Sequence, residues 1–151
     1  MRSARRGMMS TNDILLKICK GYPITRKAIE ELEKAKKCLQ DGLYDQAVGT
    51  ADKAVDIILR GWLKEGTQAT GEALKERPAV IEELKRMGYA VPIEWHIQSI
   101  RILRNKIQHD YYSVGQKDAE ITIDIVEKFI GEAGKIEVRK KLRRLREHPR
   151  G

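Results

Sequence analysis

The chain has 151 residues, 34% of them charged and 41% hydrophobic, which is enough for one domain with one real core and too few for two. Its net charge of +8 sits at the ends: Arg2, Arg5 and Arg6 give +3 and residues 135–151 give +6, leaving the stretch between them at −1. No run approaches the roughly 18 apolar residues that a membrane span needs, and the opening MRSARRGMMSTND lacks the apolar stretch of a secretory signal.

Residues 1–12 read as a basic, flexible leader. A short helix is expected from Asn12 or Asp13 to Lys20, closed by Gly21 and Pro23. Thr25 is placed to cap the next helix, whose inner face is Ala28, Leu32, Ala35 and Leu39 and whose stop is Gly42. From Tyr44 to Lys64, Ala47, Val48, Ala51, Ala54, Val55, Ile58 and Trp62 recur at steps of three and four, the period of an amphipathic helix. Gly49 and Gly61 weaken that helix intrinsically, and tight packing is the expected reason for both.

Residues 66–72 (GTQATGE) read as a loop. Pro78 suits the first turn of a helix carrying Val80, Ile81, Leu84 and Met87, with Gly88 after it. Pro92 opens a helix running to His109 or Asp110, which YYSVGQ breaks. Residues 116–133 resume with Ala119, Ile123, Val126 and Ile130; ITIDI at 121–125 has strand character, but length and context favour helix. After Gly134, KIEVRKKLRRLRE forms a basic helical tail. The expected fold is all-α, an up-and-down four-helix bundle with extra short helices, spanning residues 13–134 with a tail at 135–151.

With one Phe and two Trp, the core must rest on Ile, Leu, Val and Ala. Cys19 and Cys38 have no CxxC spacing, which suits reduced thiols in a cytoplasmic protein. The three histidines carry no metal-ligand spacing, so neither a metal nor another cofactor is expected.

The chemistry concentrates in RILRNKIQHDYYSV, residues 101–114. At about 100° per residue, Ile93, His96, Ile100, Leu103 and Ile107 share one stripe, so His96 is expected in the packed interior. His109 falls roughly opposite, with Asn105 and Arg101. A solvated helix face is one reading of this cluster. The other is a phosphate site, but Arg104 and His109 point about 140° apart on one helix. A second copy across an isologous two-fold axis would pool both sets in one cleft. Such a cleft suits cleavage of RNA through its own 2′-hydroxyl: histidine moves protons, arginine steadies the phosphorane oxygens, and an amide fixes geometry. The tails raise general attraction to nucleic acid or simply aid solubility.

RNKIQHDY, residues 104–111, resembles the R-x4-H-x-Y motif of HEPN domains (higher eukaryotes and prokaryotes nucleotide-binding). Residues 32–63 are similar to the first long helical hairpin of that family, including the G-x-Y-D-x-A turn at Gly42, Tyr44, Asp45 and Ala47. The resemblance extends over about residues 26–133. It implies a homodimeric, metal-independent endoribonuclease, the toxin of a prokaryotic toxin–antitoxin pair, with Arg104, Asn105 and His109 as catalytic residues. In many such pairs the antitoxin is a minimal nucleotidyltransferase, which would modify Tyr111 with AMP; a packing role is the other reading of Tyr111. Expected RNA contacts are Arg101 and the tail residues Arg139, Lys140, Lys141, Arg143 and Arg144. Some HEPN proteins are instead non-catalytic nucleotide-binding or adaptor subunits that partner a nucleotidyltransferase.

Overall fold

A computed structural model describes residues 21–66 and 76–147, together with Lys17. The basic leader, the rest of the expected Asn12–Lys20 helix, most of the 66–72 loop and the last four residues lie outside these. Among the described residues five helices occur and no strand: α1 (Pro23–Gln40), α2 (Tyr44–Gly66), α3 (Arg77–Arg86), α4 (Glu94–His109) and α5 (Gln116–Glu147). None is long and apolar enough to cross a membrane.

Local chemistry sets most of the ends. α1 starts at Pro23, whose fixed φ suits a first helical residue and whose missing N–H costs nothing there. Thr25 is therefore inside the first turn and buried; it is not the cap, and its hydroxyl has no hydrogen-bond partner. The helix stops where Gly42 takes a φ of 75°. Gly42 N–H then reaches the Leu39 carbonyl at 3.1 Å and Leu43 N–H the Cys38 carbonyl at 2.9 Å, the paired bonds of a Schellman cap. α3 ends the same way at Gly88, with Tyr89 N–H bonded to the Leu84 carbonyl. Gly66 belongs to the last turn of α2, so the loop begins after it. ITIDI is helical, with Thr122 and Ile123 buried.

α2 is the central element and touches all four other helices. Its Val48, Val55, Ile58, Leu59 and Trp62 are fully buried. Cross-links between helices give the directions. Lys36 pairs with Glu127, Tyr44 bonds Gln116 at 3.3 Å, and the Trp62 indole N–H donates to Glu137. α2 and α5 therefore run parallel. The short turn at Gly42 sends α1 antiparallel to α2, and Asp56 meeting Arg101 while Asp45 meets Val114, past the end of α4, makes α4 antiparallel as well. α3 is a short crossing piece, so the four long helices make the expected bundle. α5 continues unbroken through Gly134, and the basic tail is its second half.

The interior also holds charge. Asp52 of α2 accepts a hydrogen bond from Arg77 Nη1 of α3 at 2.5 Å and lies 2.9 Å from Arg101 Nη2 of α4. Asp56, one turn on, lies 3.3 Å from Arg101 and 3.6 Å from Arg77. Arg77 also donates to the Ile97 carbonyl of α4 at 2.9 Å. The Asp52 and Arg77 side chains are only 2% and 1% exposed, so neither can exchange its partner for water. Burial pushes the Arg77 guanidinium below its ordinary value, and Asp52 opposes that shift. Removing one member of such a group leaves an uncompensated buried charge. Asp52→Ala should therefore lower stability by about 3–5 kcal/mol in urea denaturation, far more than truncating an exposed acid such as Glu82.

Candidate functional site

α4 meets α2 through this charged cluster, and the contact sets which way each side chain of the motif points. Ile97 and Ile100 are buried and Leu103 and Ile107 half-buried. His96, expected inside, is exposed. Ile97 supplies the packed residue of that turn, and His96 is rotated about 100° from it.

Arg101, expected on the outer face with His109, is instead turned inward onto Asp52 and Asp56, so its charge is neutralised within the chain. One turn later, Arg104 is half-buried and pairs with no carboxylate among the described residues. Its Nη1 donates to the Asn105 side-chain oxygen at 2.8 Å, which holds the guanidinium in one orientation. Arg104 lines a groove of about 520 Å³ between α2 and α4, with Gln46, Gly49, Thr50, Ile107 and Gln108. His109 is the exposed last residue of α4, and no hydrogen bond joins it to Arg104. The chain thus brings Arg104 and Asn105 together and leaves His109 on the outer side. That side also carries Trp95 and Ile102, 85% and 59% exposed, at steps of seven residues from His109 and hence on one helix face.

Beyond His109 the backbone turns sharply. Tyr111 has a φ of 54°, unusual for a bulky residue, and its side chain is fully exposed. A packing role for Tyr111 is therefore overturned: the helix ends before it, and the core stripe does not reach it. Asp45 pins the segment that follows, accepting from Val114 N–H at 2.9 Å and from the Ser113 hydroxyl at 3.3 Å. The supporting roles of Asp45, Asp52 and Asp56 do not follow from the helix pattern, because each acts on a distant segment. A signal was present, since Asp52 and Asp56 stand at a four-residue step among the core-facing Ala51, Ala54, Val55 and Ile58 of α2.

The basic residues in the second half of α5 lie at the other end of the bundle. Arg139, Lys141, Arg143 and Arg144 are exposed. Lys140 donates to the Tyr89 hydroxyl at 2.7 Å, and the Tyr89 ring stacks on Trp62 with centroids 5.0 Å apart. Lys141 lies over the Tyr22 ring. From Gln116 to Arg139 the helix rises roughly 35 Å, so these cations do not share a site with His109 of the same chain. Among the described residues, no group of His, Cys, Asp and Glu has metal-holding geometry.

A HEPN domain family model matches residues 24–148, from the second residue of α1 through the end of α5. The chain belongs to the HEPN domain family. This superfamily comprises nuclease and nucleotide-binding domains, which commonly dimerise and bind RNA. Neither the curated proteins nor the solved structures include a significant match.

The two mid-helix glycines of this HEPN domain have different causes. A Cβ at Gly61 would stand 2.9 Å from Ile24, whereas one at Gly49 would meet nothing within 4 Å. Packing explains Gly61, as expected, and leaves Gly49 unexplained, which corrects the expectation for Gly49. Gly49→Ala should stabilise the fold by about 0.5–1 kcal/mol, as alanine does at an unobstructed helix position, and Gly61→Ala should destabilise it. Paired urea titrations read the opposite signs directly.

Proposed function

We propose that this HEPN chain is a metal-independent endoribonuclease, the toxin of a toxin–antitoxin pair, with its active site assembled from two copies. The observation that carries this reading is Arg104: of the two arginines beside the groove, Arg101 is neutralised and Arg104 is not. An arginine held by a neutral amide keeps its full charge for a phosphate. The exposed Trp95 and Ile102 on the His109 face support the assembly, since a second copy packed there would bury them and bring a second Arg104–Asn105 pair and His109 into one cleft.

In that cleft the imidazole of one His109 takes the proton of the 2′-hydroxyl as its oxygen attacks phosphorus. The bond to the 5′ oxygen breaks, and that oxygen leaves with a proton from the other imidazole. Arg104 stabilises the charge on the non-bridging oxygens, and Asn105 keeps it aimed. Tyr111 stands clear of the fold, so its hydroxyl is accessible to a nucleotidyltransferase that would attach AMP and block the cleft. Arg139, Lys140, Lys141, Arg143 and Arg144 add general attraction for RNA at the far end.

Cleavage in EDTA should yield 2′,3′-cyclic phosphate ends, with a DNA analogue inert. His109→Ala should slow it by on the order of 10²–10⁴. Arg104→Lys should also be damaging, because a point charge cannot copy a planar fork. AMP transfer should silence the parent protein and leave Tyr111→Phe active. A His109→Ala protein as active as the parent would sink the nuclease reading and leave a nucleotide-binding or adaptor subunit.

Assembly is tested separately. Ile102→Asp, on an exposed position that the folded monomer does not need, should convert a dimer to a monomer in light scattering and abolish cleavage while leaving the unfolding midpoint of the monomer intact. An active monomer would show that one chain suffices.

A further inference from the structure

Gly49 has no packing reason within its own chain, yet it interrupts the central helix of the bundle. Its position suggests a reason. It lines the groove beside Arg104, with Gln46 and Thr50 on the same helix and Ile107 and Gln108 across from it. At about 520 Å³ the groove falls within the usual size of small-ligand sites, roughly 300–1,000 Å³.

The charges around this space narrow what it can hold. Asp52 and Asp56 are matched by Arg77 and Arg101, Lys53 lies 3.9 Å from Glu31, and Asp45, also on the lining, has its two carboxylate oxygens occupied by Val114 N–H and the Ser113 hydroxyl. Arg104 is the cation at the groove with no carboxylate of its own among the described residues. An anion therefore belongs at Arg104, and a neutral group in the rest of the space. Gln46, Thr50 and Gln108 offer amide and hydroxyl groups, which can donate and accept in the pattern that reads a base edge. Ile107 offers an apolar surface, and a glycine allows a flat ring to approach the helix backbone more closely than any side chain would.

We propose that this groove is a nucleobase subsite, holding the base of the nucleotide whose phosphate lies at Arg104. The proposal rests on the nuclease reading and adds base selectivity to it: Gln46, Thr50 and Gln108 choose the base, and Gly49 makes room for it.

The test is equilibrium binding by the full chain, followed by calorimetry and by backbone amide NMR, with no cleavage step. The probes are the 3′-monophosphates of adenosine, guanosine, cytidine and uridine, with inorganic phosphate as reference. At least one nucleotide should bind tenfold or more tightly than phosphate and shift the Gly49 and Thr50 amide signals. Gly49→Leu should remove that margin without changing phosphate binding, and Gln108→Ala should reorder the four bases. Four nucleotides that bind no better than phosphate would overturn the proposal, as would a Gly49→Leu chain that binds them like the parent. Conversion of a dimer to a monomer by Gly49→Leu would also overturn it, by placing a second copy over the groove. Loss of the nucleotide margin alone leaves the nuclease reading standing, and a chain that binds nucleotides without cleaving RNA leaves the subsite standing.

Discussion

The Asp52 carboxylate joins three helices at one buried point. It stands on α2, accepts from Arg77 of α3 and holds Arg101 of α4, while Asp56 one turn away shares both arginines. Apolar packing alone tolerates some sliding and rotation between helices, because hydrophobic contact has little direction. A buried ion pair does not, because a small displacement leaves charges without partners in a medium that cannot solvate them. The cluster therefore sets both the height of α4 along α2 and its rotation. The Arg77 bond to the Ile97 carbonyl adds a second fixed point on the same helix.

That rotation divides α4 into two functional sides. The side toward α2 carries Arg101, already neutralised, and Arg104, which keeps its charge at the groove mouth. The outer side carries Trp95, Ile102 and His109. A single chain consequently separates the groups that the proposed chemistry needs together, and the apolar residues near His109 give a second copy something to bury. The Asp45 bonds to Ser113 and Val114 act on the same arrangement from below, fixing the chain where it leaves α4. Asp45 belongs to the turn that begins α2, so one helix positions both ends of the motif segment.

The tail follows a different logic. Its first turns are structural: Ile136 packs against the core, Glu137 receives the Trp62 indole, and Lys140 meets Tyr89. The following turns, residues 141–147, are exposed at every position and form the basic surface. Truncating the tail at residue 135 would expose Trp62 and Tyr89 along with removing charge, which makes individual arginines the better probes of its role.

Much of the fold was legible in the sequence because its causes are local. Helix periodicity and a glycine just past the last turn act within a few residues, and they located the bodies of α1 to α5, the stops at Gly42 and Gly88, and RNKIQHDY at the end of α4. Two starts differ: Pro23 opens α1, where Thr25 is the expected cap, and α4 begins at Glu94, after Pro92. What tertiary structure decided were the cases in which a distant segment supplies the partner. Helix phase alone puts Arg101 on the face of His109, and only the approach of Asp52 and Asp56 turns it inward and neutralises it, leaving Arg104 with its charge. Gly49 and Gly61 look alike, and only Ile24 distinguishes them. His96 and Ile97 differ by one step on the helix, and the contact with α2 and α3 selected which faced inward. Periodicity gives the spacing of a stripe to within a residue, whereas its phase depends on the surface it meets, and that surface comes from residues dozens of positions away.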